Sequence, residues 1–351
     1  MTFLRTRGER TSSVVGIKEV ARQAGVSVGT VSNVLNRPDR VSPEVRTRVH
    51  AAIELLGYVR SESARQLRAG RSRMLGLLVM DTGNPFFAVL ARGTERVAAE
   101  ADLGVMVCNS AENTSAEQAY LSLFVEQRLR GVLFAPVASH GEPWAALRRA
   151  NIPFVVVDRA ADEQTACSVA ADDVLGGLLA GRHLVAGGHR RIAFVRGPQH
   201  LQQIQDRRQG LARAVQEAGL DADAIVDIRA DRLDVAAGRD AGARLIGLAP
   251  RPTAVFCAND LMALGVMQTA FDAGVGVPDD LAVVGYDDIE FAEASLIPLT
   301  SVRHPAAEIG RLAAQLLLQE IEASDAAPEH QHTGIVLQPE LVVRRSSTPR
   351  S

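Results

Sequence analysis

Polar residues follow several of the short apolar runs in this sequence. The pairs closest to such runs are Asp81 with Asn84, Asp158 with Arg159, Asn259 with Asp260, and Asp287 with Asp288. Because open α/β sheets bind ligands beyond the carboxyl ends of their strands, these side chains could converge on one cleft. Each also has an ordinary interpretation, since asparagines cap helices and loop aspartates are commonly solvated. The residues taken singly leave both interpretations open.

Motifs for catalysis are not found in the sequence. No G-x-S-x-G, phosphate-binding loop or G-x-G-x-x-G stands after a predicted strand, and the eight histidines show no metal-ligand spacing. His189 follows two glycines, a setting more typical of a helix cap than of a base. The three cysteines stand singly in apolar stretches, which favours buried strand residues: Cys108, Cys167 and Cys257. We therefore predict no enzyme activity, no cofactor and no metal.

The elements that would position the polar pairs begin after Arg73. Helical patterns separate most of the Val-, Ile- and Leu-rich runs, an alternation that predicts parallel sheets covered by helices. The region is longer than one doubly wound unit, so two lobes are expected. The predicted strands are Leu75–Met80, Gly104–Cys108, Val132–Ala135, Phe154–Val157, Ile192–Val195, Ala254–Cys257 and Leu281–Val284.

Charge is distributed unevenly along the chain. Residues 1–73 hold fourteen Arg and Lys against six Asp and Glu, whereas the remainder holds twenty-four against thirty-five. A basic head on an acidic body indicates that only the head meets a polyanion. No run approaches the roughly 20 apolar residues of a membrane span, and the amino terminus has no apolar signal segment. We expect a cytoplasmic protein without a membrane partner.

The basic head has the pattern of three short amphipathic helices between Ile17 and Leu56. Gly25 and Ser27 would end the first helix and cap the second, and Ser42 with Pro43 would open the third.

The segment Gly16–Asn36, GIKEVARQAGVSVGTVSNVLN, with VSPEVRTRVHAAIELLGYV after it, closely resembles the head of the LacI/GalR repressor family. The resemblance continues, more loosely, to the end of the chain. A generic three-helix bundle is the alternative. The resemblance implies an N-terminal all-α helix-turn-helix domain followed by an α/β, two-lobed, periplasmic-binding-protein-like domain of parallel sheets flanked by helices.

The second helix would then be the recognition helix. Val31, Val34 and Leu35 form its packed side. By resemblance, the positions of Val28, Gly29 and Asn33 read bases, and those of Ser27, Thr30, Ser32 and Asn36 contact phosphate or both. Few direct contacts with bases are expected, because Gly29 has no side chain and Asn33 stands where many relatives carry Arg.

Beyond the third helix lies a polar linker, Ser61–Arg71. In the family this segment becomes helical when two subunits bind DNA, and a leucine wedges into the minor groove. Leu67 matches that wedge and Arg68 lies beside it. The alternative for Leu67 is packing against its own head.

The resemblance also extends to sugar-contacting positions of the family and of periplasmic ribose-binding proteins. Carboxylates and arginines pair with sugar hydroxyls, and aromatic rings stack on the C–H faces. An Asp158–Arg159 ion pair and a bracing role for Arg207 are the structural alternatives. Together with Asp81, the predicted ligand residues are Asn84, Phe86, Phe87, Asp158, Arg159, Arg207, Asn259, Tyr286, Asp287 and His304.

These expectations combine into a homodimeric repressor that a ribose-like pentose releases from a pseudo-palindromic operator, with hexoses and nucleosides left open. A corepressor or purine-type effector, and a sugar-binding protein of a transporter, are the alternatives. The predicted divisions are a flexible segment 1–14, the DNA-binding domain 15–60, a hinge and linker 61–73, and the ligand-binding and dimerisation domain 74–351. Its N-lobe comprises 74–166 and 297–325, and its C-lobe 167–296 and 326–345.

Overall fold

The smaller of two compact units is helical. The computed structural model describes residues 15–58, 72–137, 141–326 and 331–348, and the units divide between Gly70 and Arg71. Within residues 15–58 the helices are α1 (Ile17–Ala24), α2 (Val28–Asn36) and α3 (Pro43–Leu56), with a 3-10 turn at Pro38–Arg40. Their shared core contains Val20, Val31, Val34 and Val49. The three predicted helices are confirmed.

Local chemistry explains where these helices begin and end. Gly25 and Gly57 adopt left-handed φ values of 64° and 60°, which glycine accepts without steric cost. The Ser27 hydroxyl accepts a 3.0 Å hydrogen bond from the Thr30 amide, as predicted for a cap. Ser42 occupies the corresponding position before α3, but its side chain makes no capping bond. The predicted start of α3 at Ser42 and Pro43 is confirmed, and Pro43, whose ring fixes a helical φ, begins the helix without a side-chain hydrogen bond from Ser42.

The larger unit contains two lobes, each with a six-stranded sheet. All neighbouring strands of the N-lobe sheet run parallel. In spatial order, but numbered along the chain, these strands are β11 (Gly334–Leu337), β5 (Cys167–Ala171), β4 (Phe154–Val157), β3 (Gly131–Phe134), β1 (Met74–Val79) and β2 (Gly104–Asn109). The helices of this lobe are α4 (Pro85–Glu100), α5 (Thr114–Glu126), α6 (Ala145–Arg149) and α12 (Ala306–Ala326).

The C-lobe sheet is parallel except at one edge, where β12 runs antiparallel to β10. In spatial order its strands are β12 (Glu340–Val342), β10 (Thr300–Arg303), β9 (Ala282–Asp287), β8 (Ala254–Cys257), β6 (Ile192–Arg196) and β7 (Ile225–Arg229). Its helices are α7 (Asp173–Ala186), α8 (Gln202–Glu217), α9 (Val235–Ile246), α10 (Asp260–Asp272) and α11 (Glu290–Ala294). In the described part of the chain, no helix has the length and apolar character needed to cross a membrane.

The lobe boundaries differ from the predicted ones. Among the described residues the chain passes between the lobes after β5, after β10 and after β11. β5 and β11 therefore belong to the N-lobe, whereas β10 belongs to the C-lobe. The predicted divisions at 166, 296 and 325 were wrong, because β5, β10 and β11 are short strands whose sequences do not show which sheet accepts them.

Two glycines let α7 and α8 approach each other very closely. A Cβ atom added to Gly177 would lie 2.0 Å from the Arg207 carbonyl oxygen, and one added to Gly210 would lie 2.0 Å from the Val174 carbonyl oxygen. Real side-chain atoms do not tolerate such distances, so the backbones would have to separate. This approach sets the position of Arg207 relative to the amino end of α7.

We predict that Gly210→Ala lowers the free energy of unfolding by about 1–3 kcal/mol through this overpacking. Gly247→Ala is the control, since the nearest atom to its added Cβ is 3.6 Å away and its φ is −76°. Urea unfolding followed by circular dichroism measures both variants. Equal stability of the two would contradict the proposed constraint.

Candidate functional site

The exposed side of α2 is the first candidate interface. Val28, Gly29 and Asn33 are exposed, with 38% of Val28 accessible, whereas Val31 and Val34 are buried. The helix carries no charged side chain. Its contacts with bases would therefore rest on one amide and one apolar side chain, as the sequence predicted.

Polar residues at both ends of α2 are held by bonds within the helix. The Ser27 and Thr30 hydroxyls lie 2.9 Å apart. The Asn36 amide donates to the Ser32 carbonyl oxygen at 2.7 Å, so a contact between that amide and a phosphate would have to replace this bond. Leu67 and Arg68 lie outside the described residues.

A cavity of about 40 Å³ between the two lobes is the second candidate site. Its wall combines N-lobe, C-lobe and connecting residues, most of them at the carboxyl ends of strands or at the start of the following helix. The lining residues are Met80, Asn84, Phe86, Phe87, Asp158, Leu201, Gln203, Ile204, Arg207, Leu233, Asn259, Asp287 and His304.

Arg207 is the cation at the centre of the C-lobe wall. Its Nε donates to Asp173 Oδ1 at 2.7 Å, its Nη1 donates to the Ala258 carbonyl oxygen at 2.6 Å, and its guanidinium carbon lies 3.6 Å from the centre of the Tyr286 ring. Burial lowers the pKa of Arg207, but Asp173 and further anionic neighbours raise it more, so the net shift is upward. The residue stays charged in this site.

Asp158 carries a carboxylate into the cavity from the end of β4. Its φ of 63° is left-handed, a conformation that costs about 1–3 kcal/mol and is typical of functional sites. Gln203 donates to the Asp158 carbonyl oxygen at 3.0 Å and to Oδ2 at 3.1 Å. Burial raises the pKa of Asp158 to about 6, although His304 opposes the shift. This carboxyl can therefore change its protonation state near neutral pH.

His304 lies between two carboxylates. Its Nε2 is 3.5 Å from Asp158 Oδ1 and its Nδ1 is 3.8 Å from Asp287 Oδ1, while its ring stacks on Phe86 with centroids 4.5 Å apart. Burial lowers the pKa of His304, but the two aspartates outweigh burial and raise it. Asp287, at a φ of 101°, also accepts a 2.9 Å hydrogen bond from Asn84.

Several polar atoms of the cavity wall are buried without a hydrogen-bond partner. They are Asp158 Oδ1, Gln203 Oε1 and both ring nitrogens of His304. Buried polar groups are nearly always satisfied, so a group of such atoms around one cavity indicates a site for a polar ligand. Acceptors and donors are both present, which suits a molecule with several hydroxyl groups.

The structure brings together most, but not all, of the predicted ligand residues. Asn84, Phe86, Phe87, Asp158, Arg207, Asn259, Asp287 and His304 line the cavity. The side-chain amide of Asn259 has a structural role. Its Oδ1 accepts a 2.9 Å hydrogen bond from the Met262 amide and so caps α10, and its Nδ2 donates to the Leu233 carbonyl oxygen at 2.9 Å.

Three predicted residues are not among those that line the cavity. Asp81 accepts from the Gly83 amide and faces a wider depression of about 540 Å³ outside the cavity. Arg159 is partly buried elsewhere and interacts electrostatically with Glu117, so it is not paired with Asp158 in the cavity wall. Tyr286 lies beneath Arg207, so its ring contacts that cation and is not open to a sugar.

Sequence reasoning missed Asp173 and Gln203. Asp173 follows β5, a strand that was not predicted, so its place at a strand end was not recognised. Gln203 precedes Arg207 by one helical turn, and that spacing could have revealed it. Asp260 and Asp288 have structural partners: Asp260 accepts from Ser301 at 2.6 Å, and Asp288 pairs with Arg303 at 2.8 Å.

Comparisons with known proteins agree with this arrangement. Residues 16–61 match the model for bacterial regulatory proteins of the lacI family, and residues 182–347 match a periplasmic binding protein-like domain. The ribose operon repressor of Escherichia coli strain K12 is 34% identical over 332 residues, which cover 94% of this chain and 99% of that protein.

Two solved structures show the same fold. The lac repressor dimer bound to operator and the anti-inducer ONPF has a TM-score of 0.80 and 26% identity, covering 96% of this chain and 100% of that one. A LacI family transcriptional regulator from Enterococcus faecium with bound ribose has a TM-score of 0.72 and 29% identity, covering 79% of this chain and 100% of that one. The chain belongs to the LacI family of bacterial regulatory proteins.

Proposed function

We propose that this protein is a homodimeric transcriptional repressor that a small sugar, with a ribose-like pentose favoured, releases from a pseudo-palindromic operator. The observation that carries the sugar assignment is the group of buried polar atoms on Asp158, Gln203 and His304 that form no hydrogen bond within the protein. Sugar hydroxyls both donate and accept hydrogen bonds, so one pentose could satisfy several of these atoms.

The charged and aromatic groups around those atoms support the same ligand class. Arg207 and Asn84 supply donors, Asp287 supplies an acceptor, and Phe86 offers an apolar face to C–H groups once His304 moves from it. The ribose operon repressor and the ribose-bound E. faecium regulator, both similar over most of their length, support a pentose as the sugar.

The size of the cavity indicates how the effector would act. Ligand pockets usually measure about 300–1,000 Å³, whereas this cavity measures about 40 Å³. Binding a sugar therefore requires the lobes to separate or His304 to leave its place. The effector would shift the balance between lobe arrangements by its difference in affinity for them.

The cavity residue His304 lies where the chain passes between the lobes, and so does Asp173, the ion-pair partner of the cavity residue Arg207. Asp173 is the first residue of α7, directly after the passage from β5, and His304 directly follows β10 on the way to α12. A ligand that contacts His304, or Arg207 and through it Asp173, acts on a connection between the lobes, and does not only fill space between them. This placement supports coupling of sugar binding to lobe rotation.

DNA binding would use α2 of each subunit in successive major grooves. Exposed Asn33 could pair with an adenine edge, and exposed Val28 could contact a thymine methyl group. The minor-groove role of Leu67 and Arg68, and the phosphate contacts of Ser27, Thr30, Ser32 and Asn36, belong to the same proposal.

Ribose should dissociate the protein from operator DNA, and Gln203→Ala should weaken that response. Loss of a buried partner for sugar and for Asp158 predicts an increase of about 10–100-fold in the ribose concentration required. Gln209→Ala, an exposed glutamine on the same helix, is the matched control. Fluorescence anisotropy of labelled operator measures release.

An unchanged response of Gln203→Ala would remove this residue from the site. Tighter operator binding with a nucleoside would support the corepressor alternative instead. A full-length protein that binds sugar but not DNA would favour the transport-protein class. A variant without residues 1–60, which should bind sugar and no DNA, shows what that result looks like.

Ribose affinity should fall as the pH drops below about 6. Burial raises the pKa of Asp158 to about 6, and its carboxylate form accepts a hydroxyl hydrogen bond better than its acid form. Linkage of one proton predicts a loss of up to about tenfold per pH unit below that value and little change between pH 7 and 8. The groups that face Asp158 are His304, Asp173, Arg207 and Asp287.

Calorimetric titration of wild type and Asp158→Asn with ribose tests this dependence. The variant should bind more weakly at pH 8 and show a flatter profile, because the remaining groups still titrate. An identical acid profile in both proteins would contradict the role of Asp158.

Asn33→Ala should reduce affinity for operator by about 1–3 kcal/mol while leaving affinity for unrelated duplexes nearly unchanged. Operator sequences would be obtained by selection from random duplexes. His50→Ala, at an exposed position of α3, is the control for general effects of head substitutions. Equal losses on selected and unrelated DNA would show that Asn33 does not read a base.

A further inference from the structure

Three potential metal ligands meet in the N-lobe, separate from the interlobe cavity. Cys167 begins β5, Glu320 lies on α12, and His332 precedes β11. One ligand atom from each lies within 4.8 Å of the other two. The measured pairs are Cys167 Sγ to His332 Nδ1 at 3.8 Å and His332 Nδ1 to Glu320 Oε1 at 3.2 Å.

We propose that Cys167, Glu320 and His332 form a Zn²⁺ site. Thiolate, imidazole and carboxylate are all zinc ligands, with bonds of about 2.3, 2.0–2.1 and 2.0–2.2 Å. A tetrahedron with those bonds places sulfur about 3.6 Å from nitrogen and nitrogen about 3.3 Å from oxygen. The observed separations are close to these values, so small side-chain movements would bring all three ligands onto one ion.

The surroundings of Cys167 fit a metal-bound thiolate. The Thr333 backbone amide donates to Cys167 Sγ at 3.2 Å, the kind of outer contact that stabilises sulfur bound to a metal. Zn²⁺ binding would replace the thiol proton of Cys167 with a Zn–S bond and release that proton to solvent.

The hydrogen-bonded triad is the competing interpretation of this cluster. The three ligand atoms nevertheless lie within 4.8 Å of one another, and His332 is partly exposed, so an ion from solvent could reach them. Three protein ligands would leave the fourth tetrahedral position for water or another donor. Soft and borderline donors of this kind favour Zn²⁺ over Mg²⁺ or Ca²⁺.

Such an ion would join three elements of the N-lobe. It would tie the start of β5 to α12 and to the segment that leads into β11, the last strand before the chain returns to the C-lobe. The sequence did not predict the site, because the ligands are far apart along the chain and Cys167 was interpreted as a lone strand residue. None of the three residues lines the interlobe cavity.

Co²⁺ titration of the full-length protein tests the site through its absorption spectrum. We expect one equivalent to produce thiolate-to-cobalt charge-transfer absorption, and Zn²⁺ to displace it. Calorimetry in two buffers of different ionisation enthalpy should detect about one released proton per Zn²⁺. Glu320→Gln and His332→Ala should each raise the Kd for Zn²⁺ by more than about 100-fold, since even outer contacts contribute 10–100-fold.

Cys108→Ser, which changes a thiol outside the cluster, is the control and should bind Zn²⁺ as the wild type does. Circular dichroism would verify folding, and Glu320→Gln keeps the size of the side chain. A folded wild type without charge-transfer absorption would overturn the proposal. Unchanged Zn²⁺ affinity in Glu320→Gln and His332→Ala would overturn it as well, by placing the ion elsewhere.

Discussion

The buried ion pair between Arg207 and Asp173 is the interaction on which the cavity depends. Both side chains are almost completely buried, with Nε and Oδ1 separated by 2.7 Å. Removing one partner of such a pair commonly costs about 3–5 kcal/mol, because the other charge is left without compensation. The glycines at positions 177 and 210 allow this contact by bringing α7 and α8 together, and the Tyr286 ring supports the guanidinium from below.

The same pair links the cavity to the connections between the lobes. Asp173 immediately follows the first passage, and His304 lies in the second, between Asp158 of the N-lobe and Asp287 of the C-lobe. A sugar that hydrogen-bonds with Asp158 and Asp287 would compete with His304 for these two carboxylates. Effector binding and lobe position would therefore depend on the same side chains, so the sugar could bind the two lobe arrangements with different affinity.

Much of the fold could be predicted from the sequence because uninterrupted apolar runs identify central strands. The run at Leu75–Met80 and the run at Phe154–Val157 correspond to β1 and β4. β7, IVDIR, and β10, TSVR, were missed because edge and boundary strands mix polar with apolar residues and resemble loops. The lobe to which a short strand belongs depends on long-range pairing, which no local pattern contains.

The candidate site was predictable to the extent that it follows strand ends and the family resemblance. Asp158, Arg207 and Asp287 were found in this way, whereas Asp173 was not, because β5 had not been recognised. The positions of Arg159 and Tyr286 depend on backbone direction and ring packing, and those features emerge only in three dimensions. The Cys167 cluster and the small volume of the cavity could not be predicted from the sequence for the same reason, because both result from three-dimensional packing.

A crystal structure of the protein with D-ribose is the most direct test of the central claim that the interlobe cavity is the effector site. We expect density for one ribose between Phe86 and Arg207, with hydroxyl groups within hydrogen-bond distance of Asp158 and Gln203, and His304 displaced from Phe86. Ribose bound only in the wider depression beside Asp81, or a cavity unchanged at saturating ribose, would contradict this claim.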